Sequence, residues 1–319
     1  MTYRLEPLRP VTPCVRQIAA SQIEDILSAY GDEALSAKAV HETRKALKRL
    51  RALLTLVRYG LKSDDMRRER ARLRGIAHSL AGARDTHVML ETATALHDKG
   101  LPRDCRGAGR AVIGLLEIKR ADNGARLATE QMELPVEKLR EALGAMRTLP
   151  LSELAFDDVL DGFTETYARG RQLHDVVFEA GVDDERIHDL RKEVQQHWRH
   201  LQLLVNAWPK ALRPHIILAR DLSETLGKDH DIAMLTAFAR EMAADQDDRP
   251  SRRFDAYIEL CAGEQAKLRR LAGLLARRLY AEKPKALRRR IKVYLETARE
   301  LAVDELQQNE SAQVIVMKK

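Results

Sequence analysis

Cysteine is scarce and scattered in this chain. Cys14, Cys105 and Cys261 are odd in number and lack metal-ligand spacing, so neither a disulfide framework nor a zinc site is indicated. Aromatic residues make up only 4%, which leaves no interleaving of rings with basic residues of the kind that stacks bases. No run of about 18 apolar residues occurs, which argues against a membrane span. Residues 1–13 show no cationic segment followed by an apolar run, so no export signal is read there. A soluble, cytoplasmic protein in a reducing compartment is the expectation.

What the chain does have is charge, mixed in sign: 55 Lys and Arg against 48 Asp and Glu, a net +7. Charged residues are 32% of the sequence, and Ala, Leu, Arg and Glu dominate, a profile that favours helix over strand. The fold class is read as all-α. A length of 319 residues fits two units at about 150 residues each.

A basic, histidine-led helix start occurs twice, as His41-Glu42-Thr43-Arg44-Lys45 and as His188-Asp189-Leu190-Arg191-Lys192, offset by 147 residues (188 against 41). Each is followed by a second signature, Leu80-Ala81-Gly82-Ala83-Arg84-Asp85 and Leu226-Gly227-Lys228-Asp229-His230-Asp231, offset by 146 (226 against 80). At that second offset Arg67 also matches Arg213 and Arg74 matches Arg220. A repeat this long is a duplicated half rather than a solenoid unit of roughly 20 to 50 residues. The halves are drawn at 1–150 and 151–319, joined near Thr148-Leu149-Pro150.

Helical signals cover about 13–30, 37–59, 63–80, 86–98, 108–128 and 136–147 in the first half. In the second they cover about 157–178, 184–207, 209–226, 232–244, 253–279 and 284–307. Breaks are expected at Gly31-Asp32, Gly60, Gly82 and Gly100-Leu101-Pro102, and Pro135 can open a helix. Residues 246–250 read as a loop, and residues 311–319 are too short to assign and are expected to fray. Trp198 and Trp208 are expected in the core, and His197 on the packed side of its helix. Arg84-Asp85 and His230-Asp231 are placed at turns leading into helices, where Asp can cap backbone N–H groups or orient a neighbouring cation.

At about 100° per residue, His41, Arg44, Lys45 and Lys48 share one helix face, with Arg51 near its edge, while Leu47, Leu50, Leu54 and Val57 lie opposite. His188, Arg191, Lys192 and Arg199 repeat the arrangement. Arg67, Arg70, Arg74 and His78 form a further stripe. Crowding like charges costs stability, so such stripes imply interleaved acids or an anionic ligand. The acids Glu42, Asp189 and Glu193 lie off the centre of the stripes.

HETRKALKRLR from His41, LAGARD from Leu80, HDLRKEVQQHWRHLQLL from His188 and LGKDHDIAML from Leu226 resemble the conserved histidine α-helical domain, the CHAD family, over essentially the whole chain. The resemblance implies two antiparallel four-helix bundles related by pseudo-two-fold symmetry, whose basic residues line a groove or pore for inorganic polyphosphate. Carried onto this sequence, it nominates His41, Arg44, Lys45, Lys48, Arg51, Arg84, His188, Arg191, Lys192, Arg199 and His230 as ligand contacts. Arg74, Arg220 and Arg171 are added from helical phase and repeat correspondence. Departures are Gln195 and Gln196, where the family is often basic, and Ala81, where Gly is usual. The first copy is therefore expected to dominate binding.

The functional expectation is a stand-alone polyphosphate-binding protein, not an enzyme, without cofactor, metal or membrane, with homo-oligomers and polyphosphate-granule proteins as further partners. Rival readings are a metal-dependent phosphohydrolase of the HD type, which needs His and Asp ligands, non-specific nucleic-acid binding, and a histidine phosphoacceptor. Arg84 standing where the other repeat has His230 speaks against the first. The placement of the cations speaks against nucleic acid, because groove-reading helices present them from a compact exposed motif. If His41 or His188 touches phosphate, binding strengthens as pH falls through about 6.5.

Overall fold

The computed structural model describes residues 3–29, 37–80, 82–129, 136–179, 184–244 and 252–317, and every regular element among them is a helix. In chain order these are α1 (Val11–Ala29), α2 (Ala37–Leu56), α3 (Ser63–His78), α4 (Gly82–Asp98), α5 (Arg106–Thr129), α6 (Val136–Arg147), α7 (Phe156–Glu179), α8 (Asp184–Leu203), α9 (Pro209–Ala244), α10 (Arg252–Leu279) and α11 (Pro284–Met317). Single 3-10 turns follow α2 (Arg58–Gly60) and α8 (Val205–Ala207). The fold is all-α, as composition and periodicity require.

Local chemistry explains most of the boundaries. Acidic residues occupy the first turns of α3, α7 and α8, where they oppose the positive end of the helix dipole. The Asp158 carboxylate accepts the Ala155 backbone N–H at 2.8 Å, closing the start of α7. Pro209 and Pro284 open α9 and α11, a position at which a missing N–H costs nothing. Gly100 sits in the left-handed region (φ 89°) and donates its N–H to the His97 carbonyl at 2.9 Å, ending α4.

Four expectations fail. The break near Gly227 does not occur: α9 runs unbroken, with His230 and Asp231 inside it. A mid-helix glycine costs about 1 kcal/mol, and here it is offset by buried positions at helical spacing on both sides, Ala219, Leu222, Leu226, Ile232 and Leu235. At the other signature α4 already begins at Gly82 rather than near residue 86, and α11 continues through most of the tail. Trp208 is 48% exposed rather than in the core. It caps the second 3-10 turn and meets the Tyr294 ring edge-on at 4.8 Å.

The described chain divides into two compact units. One gathers Met1–Ile76, Pro135–Asp221 and Arg277–Lys319; the other gathers Ala77–Leu134 and Leu222–Ala276. Each unit thus draws on both sequence halves: the two histidine-led helices, α2 and α8, belong to the first, and both second signatures belong to the second. In the first unit α2 packs against α1, α7 and α8, around Leu47, Leu50, Leu54, Phe163, Leu190 and Val194. Gly162 of α7 lies against the end of α2, where a Cβ would collide with the Leu56 carbonyl oxygen and lie 2.9 Å from its carbon. In the second unit α4 packs on α5, and Leu96, Val112, Leu116, Leu235 and Tyr257 share one core. All three cysteines are buried and free.

His197 and His200 are fully enclosed on α8, and burial pushes both down to about 3. His200 Nε2 lies 2.8 Å from the Ala52 carbonyl oxygen on α2. Their folded-state values lie below the ordinary 6.5, so the unfolded chain binds protons that the folded chain refuses. The stability they confer is complete above about pH 6.5 and is lost as pH falls towards 3, at up to about 1.4 kcal/mol per pH unit for each ring. Urea unfolding followed from pH 7 to pH 4 should show this decline, and His197→Phe should make it shallower by one proton. An identical slope in the variant would remove His197 from the account.

Candidate functional site

The basic face of α2 remains outside the core. His41 and Lys48 are exposed, Arg44 and Arg51 are half-buried, and Lys45 pairs with Glu42 at 3.3 Å. Arg51 reaches across to α3, where its Nη2 donates to the Leu73 carbonyl at 3.4 Å, while its Nε is buried without a hydrogen-bond partner. Its guanidinium is held below the usual arginine range by burial first, then by the charges of Arg44 and Arg74. Three arginines from two helices therefore converge.

One turn earlier on α3, Arg70 Nη2 donates to Thr55 Oγ1 at 2.9 Å, and that hydroxyl donates in turn to the Arg51 carbonyl at 2.9 Å. Arg70 is also lowered, by burial and then by Arg58 and Arg169, with Glu193 opposing. Arg58, in the 3-10 turn after α2, pairs with Glu165 of α7 at 2.7 Å, and Arg169 pairs with the same carboxylate. The cations form a continuous train from Arg44 through Arg51, Arg74 and Arg70 to Arg58 and Arg169. Glu165 and Glu193 stand at the far end of it. Among the described residues neither Arg51 nor Arg74 makes an ion pair.

Glu193 corrects the sequence reading, which left it to one side. Its Oε2 is buried without a hydrogen-bond partner, and burial raises the carboxyl above its ordinary value despite the pull of Arg169, Arg58 and Arg70. It serves as an internal counter-charge to the train. Glu193→Gln should strengthen the binding of a polyanion by about 1 kcal/mol, roughly fivefold, because one repulsive charge disappears. Titrating polyphosphate into both proteins at one ionic strength checks this, and weaker binding in the variant would refute it.

Other nominated residues lie elsewhere. On α8, which packs against α2, His188 and Arg191 are half-buried and Lys192 pairs with Asp189 at 2.8 Å. Arg199 is only 7% exposed: it lies over the Trp198 ring at 3.8 Å and is lowered to about 10 by burial and by Arg49. Arg171 faces the opposite side of α7 from Arg169 and donates to the Glu282 carbonyl at 2.8 Å. Arg220 is exposed beside Asp221. In the second unit His230 is half-buried inside α9, and the Arg84 side chain, like Ala81 and Asp85, lies outside the described residues. The sequence reading missed Arg58 and Arg169. Arg70 stood in its stripe but was not carried forward, although its phase alone could have selected it.

A family model of the CHAD domain matches residues 17–240, from within α1 to within α9. The chain belongs to the CHAD domain family. The CHAD match takes in all four signatures and both histidine-led helices. Among solved structures the chain is similar to PptA from Streptomyces chartreusis, at 17% identity and a TM-score of 0.63, over 86% of this chain and all of that one. That likeness concerns the fold. No curated protein matches. No helix among the described residues is long and apolar enough to cross a membrane.

Proposed function

We propose that the protein binds inorganic polyphosphate along the cations of α2 and α3, with those of α8 extending the surface, and that it acts as a binding module rather than an enzyme. The observation that carries this is the meeting of Arg44, Arg51 and Arg74, close enough for Arg51 to be lowered by its neighbours. A fold bears that repulsion at a cost, and a polyanion removes it. Membership of the CHAD family and the repetition of the basic signature support the choice of ligand. Polyphosphate has no base edges to read, so recognition rests on charge and spacing. Arginine clamps phosphate oxygens bidentately, whereas lysine acts as a point charge. In this reading the protein is cytoplasmic and works at polyphosphate granules, as a marker or as a regulator.

The test is a titration of long-chain polyphosphate with duplex DNA as competitor. Saturable binding, displaced poorly by DNA, is expected. By analogy with single-stranded nucleic acid, the log affinity should fall by about 0.7 per neutralised phosphate for each decade of salt. DNA competing on equal terms would overturn the reading.

A further inference from the structure

Between α7, α8, the start of α9 and the α10–α11 turn, the first unit encloses a cavity of about 180 Å³. Neither Arg44, Arg51 nor Arg74 lines it, so it is separate from the cationic train. Its floor is aliphatic, formed by Leu201, Leu212, Leu287 and Ile291. One wall is Tyr167, held in place because its hydroxyl donates to the Glu282 carbonyl at 2.8 Å. His197 continues the same wall: it is 2% exposed, and its ring lies 5.2 Å from Tyr167 and 5.1 Å from Phe163.

The charges around the cavity are unequal in availability. Arg290 is committed to Glu282 at 2.7 Å. His197 and His215 are both lowered by burial and offer hydrogen bonds rather than charge. Arg278 and Ala281 are exposed and mark the mouth, and among the described residues Arg278 makes no ion pair. One cation at the mouth, a carboxylate in the wall and an aliphatic floor disfavour a dianion such as phosphate. They suit a single negative charge on an apolar body. A cavity of roughly 150 Å³ suffices for a benzene ring.

We propose that this cavity is a binding site for a small monocarboxylic acid with an apolar body, the size of benzoate. Its carboxylate meets Arg278 at the mouth and its body rests on the aliphatic floor, beside the paired rings of Tyr167 and His197.

The experiment is calorimetric titration of the full chain with benzoate, and with benzyl alcohol as the uncharged counterpart. One saturable benzoate site is expected, with benzyl alcohol at least tenfold weaker. Arg278→Ala should weaken benzoate at least tenfold, and Ala281→Trp, which blocks the mouth, should abolish its binding. Both positions are exposed, so both variants should keep the wild-type circular dichroism and the wild-type affinity for polyphosphate, which separates this proposal from the one above. Absence of benzoate binding at millimolar concentration would overturn it. Equal binding of the two probes with no effect of Arg278→Ala would also overturn it, since that describes a plain apolar void.

Discussion

Replacing Arg44, Arg51 and Arg74 together by alanine is expected to weaken long-chain polyphosphate binding by about three orders of magnitude. Hydrogen bonds to charged groups contribute about 1.5–3 kcal/mol each, and 1.4 kcal/mol is tenfold, so the loss of three contacts at the lower bound gives that figure. The dependence on salt should become shallower as well, by roughly 2 in the slope of log affinity against log salt. Stability should move the other way. Arg51 is held below the usual arginine range by burial and by Arg44 and Arg74, so removing the trio relieves repulsion in the empty protein. The expected variant binds poorly and melts no lower than wild type. Wild-type affinity in this variant would remove the trio from the site, and a marked fall in melting temperature would mean that the arginines hold the fold.

Gly162→Ala should be the most damaging single-methyl change in the first unit. The added Cβ meets the Leu56 carbonyl and Cα, which are backbone at the end of α2 and cannot swing aside. Inserting one methyl into packed surroundings typically costs 1–3 kcal/mol, and with backbone as the obstacle about 3 kcal/mol or more is expected. Relief requires α7 to move from the end of α2, next to the turn that carries Arg58. Urea unfolding measures the cost, and polyphosphate titration of the fraction that folds shows how far the damage reaches the cations. Gly144, with open space around it, is the matched control, and Gly144→Ala should leave stability level or raise it. Equal stability of Gly162→Ala and wild type would show that the two helices are not held that close.

Much of the fold could be read from local chemistry. Residues 136–147 were legible as α6 because Pro135 precedes it and Pro150 follows it, and the leucines of α2 announced their buried face. The unbroken α9 was not legible, since Gly227 is a local signal of ending and the buried positions that override it act through tertiary packing. The composition of the two compact units was hidden for the same reason: nothing local says that α2 will pack with α8 rather than stay within its own half. In the site, Arg44, Arg51 and Arg74 followed from helical phase. Arg58, Arg169 and Glu193 did not, because they join the train only once α7 and α8 are laid against α2. Arg199 had the correct phase and still ended buried over the Trp198 ring, since phase names a direction and not the neighbour found there.

Glu193 also ties binding to the movement of protons. Its carboxyl is already raised by burial, and a polyanion seated on Arg70 and Arg58 would take up the positive charge that keeps it ionised. Association should then draw protons from solution. The heat released on mixing would follow the ionisation enthalpy of the buffer, and that dependence should be smaller in Glu193→Gln.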